Sequence, residues 1–218
     1  MGAISGGMTF RQYTVKEALP EGWADKFREG IRRCAFVDID LAGEADRAIG
    51  WCDPRFPLDT DLEPEQYLFG DYLLLGLRTD VLAVPGPLLK LHTEAETRKV
   101  SKEQGRDSLN RYEKAEIKER VKLFLRGKML PSVKSVDLVW SLSEQVVRFF
   151  SSSEKANLEF MELFEDSFGL QLIPDAPYTA GLFGKGVNLS ELEKAALDTV
   201  EPTPFIDADT AARLLMEA

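Results

Sequence analysis

Two short apolar runs and the helix that follows them constrain this chain most. Residues 133–140 (VKSVDLVW) and 145–151 (QVVRFFS) flank the four residues Ser141, Leu142, Ser143 and Glu144, the pattern of a β-hairpin. Ser153 then stands at a helix N-cap, and Gly169 stands where a helix of residues 154–168 would end. Leu158, Met161, Phe164 and Phe168 are the apolar face expected of that helix, and residues 170–173 read as a closing strand. A hairpin that feeds a helix and then another strand points to an α+β fold with an antiparallel or mixed sheet.

The N-terminal half has the same flavour. Residues 8–15 read as a strand, and Trp23, Phe27 and Ile31 recur at helical spacing. Residues 35–41 (AFVDIDL) alternate as a strand, and 48–52 (AIGWC) follow as another. Residues 53–65, with three prolines and five acids, read as a long exposed connection. Residues 72–78 and 81–84 read as a hairpin turning at Thr79 and Asp80. Pro87 opens a helix over 88–104, and Gly105 breaks it. Asp107 or Ser108 caps the next helix, which runs to about Lys128 before Pro131 forbids continuation. The order suggests two related β-α-β-β-α-type units over residues 8–178, with a boundary near 86–107. A Pro-containing tail over 179–218 carries two short helices, 188–197 with a Ser190–Glu193 capping-box spacing and 207–216.

Charge is distributed unevenly. Residues 90–134 hold 13 Lys/Arg against 7 Asp/Glu, while the rest of the chain holds 14 against 30, within a net charge of −10. Phased at 100° per residue from Leu109, the second long helix places Ile117, Val121 and Phe124 on a buried stripe. Arg111, Lys118, Lys122 and Arg126 fall together at roughly 180–260°, apart from Glu113, Glu116 and Glu119. Arg98, Lys99, Lys102 and Arg106 extend the patch upstream. Aligned cations suit phosphate contact, because they release counterions together. The plainer alternative is a solvated face laced with i,i+4 pairs.

Other chemistries find less support. There is one histidine, His92, and Cys34 and Cys52 are not in a metal-binding spacing. The two cysteines read as reduced packing residues, with a disulfide between them left open. Asp38 and Asp40 share a face of the strand read over 35–41, where a two-metal nuclease would need carboxylates. Asp59 and Asp61 sit in a loop. The glycines of 181–186 (GLFGKG) lack the Ser/Thr of a nucleotide-binding loop. No cofactor or metal is expected. Trp140, Phe149 and Phe150 could stack bases, though alternation makes them core residues first. No apolar run approaches the ~20 residues of a membrane span.

The chain resembles the recombination-associated protein RdgC family of bacteria over about residues 8–178. The likeness rests on the opening strand and helix, Gly50-Trp51 before a Pro-containing loop, and the run from Leu77-Arg78 into Pro85-Gly86-Pro87 and a Leu-rich helix. Thr97-Arg98-Lys99-Val100, Lys102, Asp107-Ser108-Leu109 and the basic helix after them are its most telling part. The resemblance implies a non-enzymatic, dimeric protein of the cytoplasm and nucleoid that binds DNA without sequence preference. It also implies a ring-like dimer around duplex DNA that restrains RecA-dependent recombination. Typical members continue for many more residues, so the resemblance is to a short form, and ring closure is left open for it. The alternatives from other classes are a protein-interaction module, its basic patch on an acidic partner or on its own 53–65 loop, and a metal-dependent nuclease using Asp38.

Overall fold

The computed structural model describes residues 2–4, 8–41, 43, 45–176, 179, 189–197 and 199. Seven strands form one sheet: β1 (Arg11–Val15), β2 (Arg47–Cys52), β3 (Leu68–Phe69), β4 (Tyr72–Val81), β5 (Ser132–Ser141), β6 (Val146–Phe149) and β7 (Leu172–Pro174). Their order is β2-β4-β5-β6-β1-β7, with β3 paired to β4. Among the described residues the helices are α1 (Trp23–Arg33), α2 (Pro64–Tyr67), α3 (Gly86–Glu103), α4 (Arg111–Arg126), α5 (Glu154–Phe168) and, in the tail, α6 (Glu191–Leu197). The α+β class read from the sequence is therefore the observed one.

The two halves of the chain share this sheet. Taken alone, β1-α1-β5-β6-α5-β7 with spatial order β5-β6-β1-β7 is a split β-α-β arrangement. Between α1 and β5 the chain inserts β2, β3, β4 and the pair α3–α4. The chain divides after Leu172, which belongs to the core, into a compact unit Met1–Leu172 and a second unit Ile173–Ala218. In the second unit, the Ser190 hydroxyl accepts the Glu193 amide at 3.4 Å and the Glu193 carboxylate accepts the Ser190 amide at 2.8 Å, the expected capping box. The helix expected over 207–216 lies outside the described residues.

One face of the sheet carries the core. Leu73, Leu75, Leu77, Leu138, Trp140, Val147 and Phe149 meet Phe27 and Ile31 of α1 and Phe160, Phe164 and Phe168 of α5. Phe149 stacks on Phe160 with centroids 4.3 Å apart. The apolar face of α5 is rotated from the expected one: Phe160 is buried and Leu158 exposed, because Phe160 sits a full turn before Phe164 and meets β6. A Cβ at Gly30 would stand 1.8 Å from the Ser167 carbonyl oxygen, so α1 and α5 approach as only glycine permits. Two buried polar side chains on this side are partnered, the Tyr13 hydroxyl donating to Asn157 Oδ1 at 2.6 Å and Trp51 Nε1 to Ser167 Oγ at 2.7 Å, whereas Trp140 Nε1 is buried without a partner.

The opposite face is polar at its centre. Arg78 and Asp80 point the same way from β4, and Cys52 and Asp137 flank them from β2 and β5. Phe36 lies over the Arg78 guanidinium at 3.9 Å. The amide of Ala3 donates to the Asp137 carboxylate at 2.7 Å.

Three sequence expectations fail here for identifiable reasons. Thr79 and Asp80 do not turn: Thr79 pairs with Ile49 on one side and Lys134 on the other, and Asp80 binds Arg78 on the shared face. Residues 35–41 are not a strand. Ala35 makes a single parallel bridge to Trp51, after which Phe36 leaves the edge for Arg78, and Val37 and Leu41 are exposed. The 53–65 connection is partly interior. Asp53 is buried and accepts the amides of Arg55 and Phe56, Leu62 joins the core, and Glu63 begins α2 at Pro64.

Candidate nucleic-acid interface

The basic stretch folds as a helical hairpin that begins where the sheet ends. Val81 and Ser132 are the last pair of the β4–β5 ladder, and α3 and α4 lie between them in sequence. Asn110 caps α4, in place of the expected Asp107 or Ser108. Its side chain accepts the Glu113 amide at 2.8 Å while the Glu113 carboxylate accepts the Asn110 amide at 2.7 Å. The hairpin has its own apolar seam of Leu109, Ile117, Val121 and Leu125, with Val84, Leu88, Leu89 and Val100 against it. Phe124, expected in that seam, is 57% exposed, with the Lys128 ammonium 4.1 Å from its ring. The i,i+4 row through Ile117, Val121 and Leu125 fills the narrow contact with α3, and Phe124 lies one step outside it.

The two flanks of this seam differ. On one, Arg98, Lys99 and Lys102 of α3, Arg106 of the connecting loop and Lys114 of α4 line an open cleft of about 930 Å³, beside the hydroxyls of Ser101 and Ser108. Arg111 and Lys118 are exposed, and Lys122 is half-buried. On the other flank, His92, Glu96, Arg120, Val121 and Phe124 line a smaller cleft of about 290 Å³, and Arg120 pairs with Glu96 at 3.3 Å. Arg120 is thus paired on one side, while on the other Arg98, Lys99, Lys102 and Lys114 carry no ion pair among the described residues, beside Asp107 and the Arg106–Glu113 pair.

Four sequence-derived candidates, Arg98, Lys99, Lys102 and Arg106, converge on one cleft. Arg106 also pairs with Glu113 at 2.8 Å. Among the described residues none of Arg98, Lys99, Lys102, Arg111, Lys114, Lys118 and Lys122 forms an ion pair. Lys114 was missed because it falls just outside the 180–260° arc; its signal was the i,i+4 spacing to Lys118. Arg126 is a correction. It is 4% exposed, at the base of the hairpin, where it binds the Ala45 and Asp40 carbonyl oxygens and the Asp46 carboxylate at 3.2 Å. It therefore offers no charge to a phosphate.

Asp38 is on no strand and lies exposed, 3.4 Å from Arg78. Asp59 is engaged locally, accepting the Asp61 amide and the Gln66 side-chain amide. Among the described residues no group of three His, Cys, Asp or Glu side chains is placed to hold a metal ion. Cys34 and Cys52 are free thiols, and burial pushes the Cys52 thiol up to about 11. Trp140, Phe149 and Phe150 are buried, so no base can reach them. Residues 181–186 lie outside the described residues. No described helix is long and apolar enough to cross a membrane. Neither a protein-family model nor a curated protein matches the chain, so the geometry of the hairpin carries the functional reading.

Proposed function

We propose that this protein binds DNA without sequence preference, through the basic flank of the α3–α4 hairpin. The observation that carries the reading is the convergence of Arg98, Lys99, Lys102, Arg106 and Lys114 on one open cleft, continued along α4 by Arg111, Lys118 and Lys122. Unpaired lysines and arginines aligned along a helix pair contact phosphates and fix position without reading base edges. The acidic remainder of the chain repels a polyanion, which confines contact to the hairpin. The role is one of binding rather than catalysis. The resemblance to the RdgC family adds a dimer, a nucleoid location in the cytoplasm, and restraint of a RecA-type recombinase by DNA coating or encirclement.

Fluorescence anisotropy with a random-sequence duplex over a salt series tests this. With about six phosphates contacted, the slope of log K against log salt is about −5. Changing Lys102 and Lys118 to Gln together flattens it by about 2. Absence of binding by the wild-type protein at low salt overturns the function; an unchanged slope in the double variant overturns the site. Sedimentation of the free protein and of the complex reads the dimer.

A further inference from the structure

We infer that Arg126 and the described residues of the 40–46 segment form a clasp that sets the direction in which the basic hairpin leaves the sheet. Arg126 is then a positioning residue for the nucleic-acid site, and this inference rests on the reading proposed above.

An arginine in the last turn of an exposed helix ordinarily extends its guanidinium into water. Here the side chain is only 5% exposed and turns to the segment before β2. Nη2 donates to the Ala45 and Asp40 carbonyl oxygens, and Nη1 lies 3.2 Å from the Asp46 carboxylate. Nε is buried without a partner, a cost that a residue kept for solubility would not bear.

The same segment holds the chain on its way into the hairpin. Leu82, the first residue after β4, is buried, and its amide donates to the Asp46 carbonyl oxygen at 2.9 Å. Asp46 therefore grips the incoming chain with its backbone and the outgoing helix with its side chain. Little else could fix the direction of the arm. No residue of α3 is buried, and the seam of Leu109, Ile117, Val121 and Leu125 joins the two helices to each other rather than to the sheet core. A two-helix arm with a private core and one anchored base pivots at that base when the anchor is cut.

Two variants, Arg126→Met and Asp46→Asn, decide the matter through duplex binding over a salt series and amide hydrogen exchange. Arg126→Met binds about 5-fold more weakly at fixed salt, with the salt slope unchanged because no phosphate contact is lost. Asp46→Asn raises the net charge, so simple electrostatics makes it bind more tightly, whereas loss of the clasp makes it bind about 2-fold more weakly. In both variants exchange accelerates at Leu82 and Met129 while the β4–β5 amides keep wild-type protection. A slope reduced by about 1 in Arg126→Met identifies a phosphate contact and overturns the inference. Tighter binding by Asp46→Asn, or unchanged exchange at the hairpin base, overturns it as well. Failure of the wild-type protein to bind overturns the function itself, an outcome separate from any of these.

Discussion

Arg78 and Asp80 stand two residues apart on β4 and hold each other through two contacts, 2.9 Å from Nε to Oδ1 and 2.6 Å from Nη2 to Oδ2. Both are nearly excluded from water. Strand periodicity puts them on one face, where the Phe36 ring lies over the guanidinium. Removing Asp80 leaves the Arg78 guanidinium with only the longer 3.4 Å contacts to Asp38 and the Pro57 carbonyl oxygen, in a medium that solvates it poorly. Asp80→Ala is expected to cost about 3–5 kcal/mol in urea unfolding, and the double change Arg78→Met with Asp80→Leu clearly less. A double variant as unstable as the single one would show that the pair contributes more than mutual neutralisation.

Asp137 gives a prediction in pH. Burial raises its carboxyl above the ordinary value of 3.8, against the opposing pull of the Ala3 and Ile4 amides. The folded protein therefore holds this proton more tightly than the unfolded chain. Its contribution to stability is fully present below the unfolded value and is lost as pH rises through the folded one. Asp137→Asn removes that dependence while keeping an acceptor for Ala3. The stability of wild type relative to Asp137→Asn, followed by urea unfolding from acid to neutral pH, should fall as pH rises through this window. A constant difference would refute the assignment.

Cys52 should resist thiol reagents in the native state. Its thiol donates to the Gly76 carbonyl oxygen at 3.3 Å, and burial holds it near 11, so the reactive thiolate is scarce at neutral pH. Titration with an aromatic disulfide reagent at pH 8 should modify Cys34, which is only half-buried, and reach Cys52 on addition of denaturant. Rapid modification of both thiols in native protein would show that the polar sheet face opens readily.

Sequence periodicity reached furthest where one residue set had one job. The β5–β6 hairpin and α5 were legible because alternation, the Ser153 cap and the left-handed Gly169 at the helix end all agree. The β4 strand was misread because Thr-Asp resembles a turn, and only the partner Arg78, placed by the sheet, explains a buried aspartate there. Helical phasing grouped Arg126 with the exposed cations because it is blind to what lies beside the last turn. Those neighbours are Asp40, Ala45 and Asp46, eighty or more residues away in sequence. Leu125 takes the seam position expected of Phe124 for a related reason, since a seam against one thin helix is narrower than the stripe that periodicity assumes. The cleft cations Arg98, Lys99, Lys102 and Arg106 were legible because charge density marks them without reference to tertiary contacts.

The hairpin occupies a place with an architectural consequence. Because β4 and β5 are antiparallel neighbours in register over ten pairs, the chain could close between Val81 and Ser132 with a tight turn and leave the body intact. The arm is in this sense interchangeable. Lengthening α3 and α4 by one matched turn each would carry its tip outward by about 5.4 Å and would add another row of side chains to each flank. Reach and charge can thus be tuned together on a foundation that never has to refold.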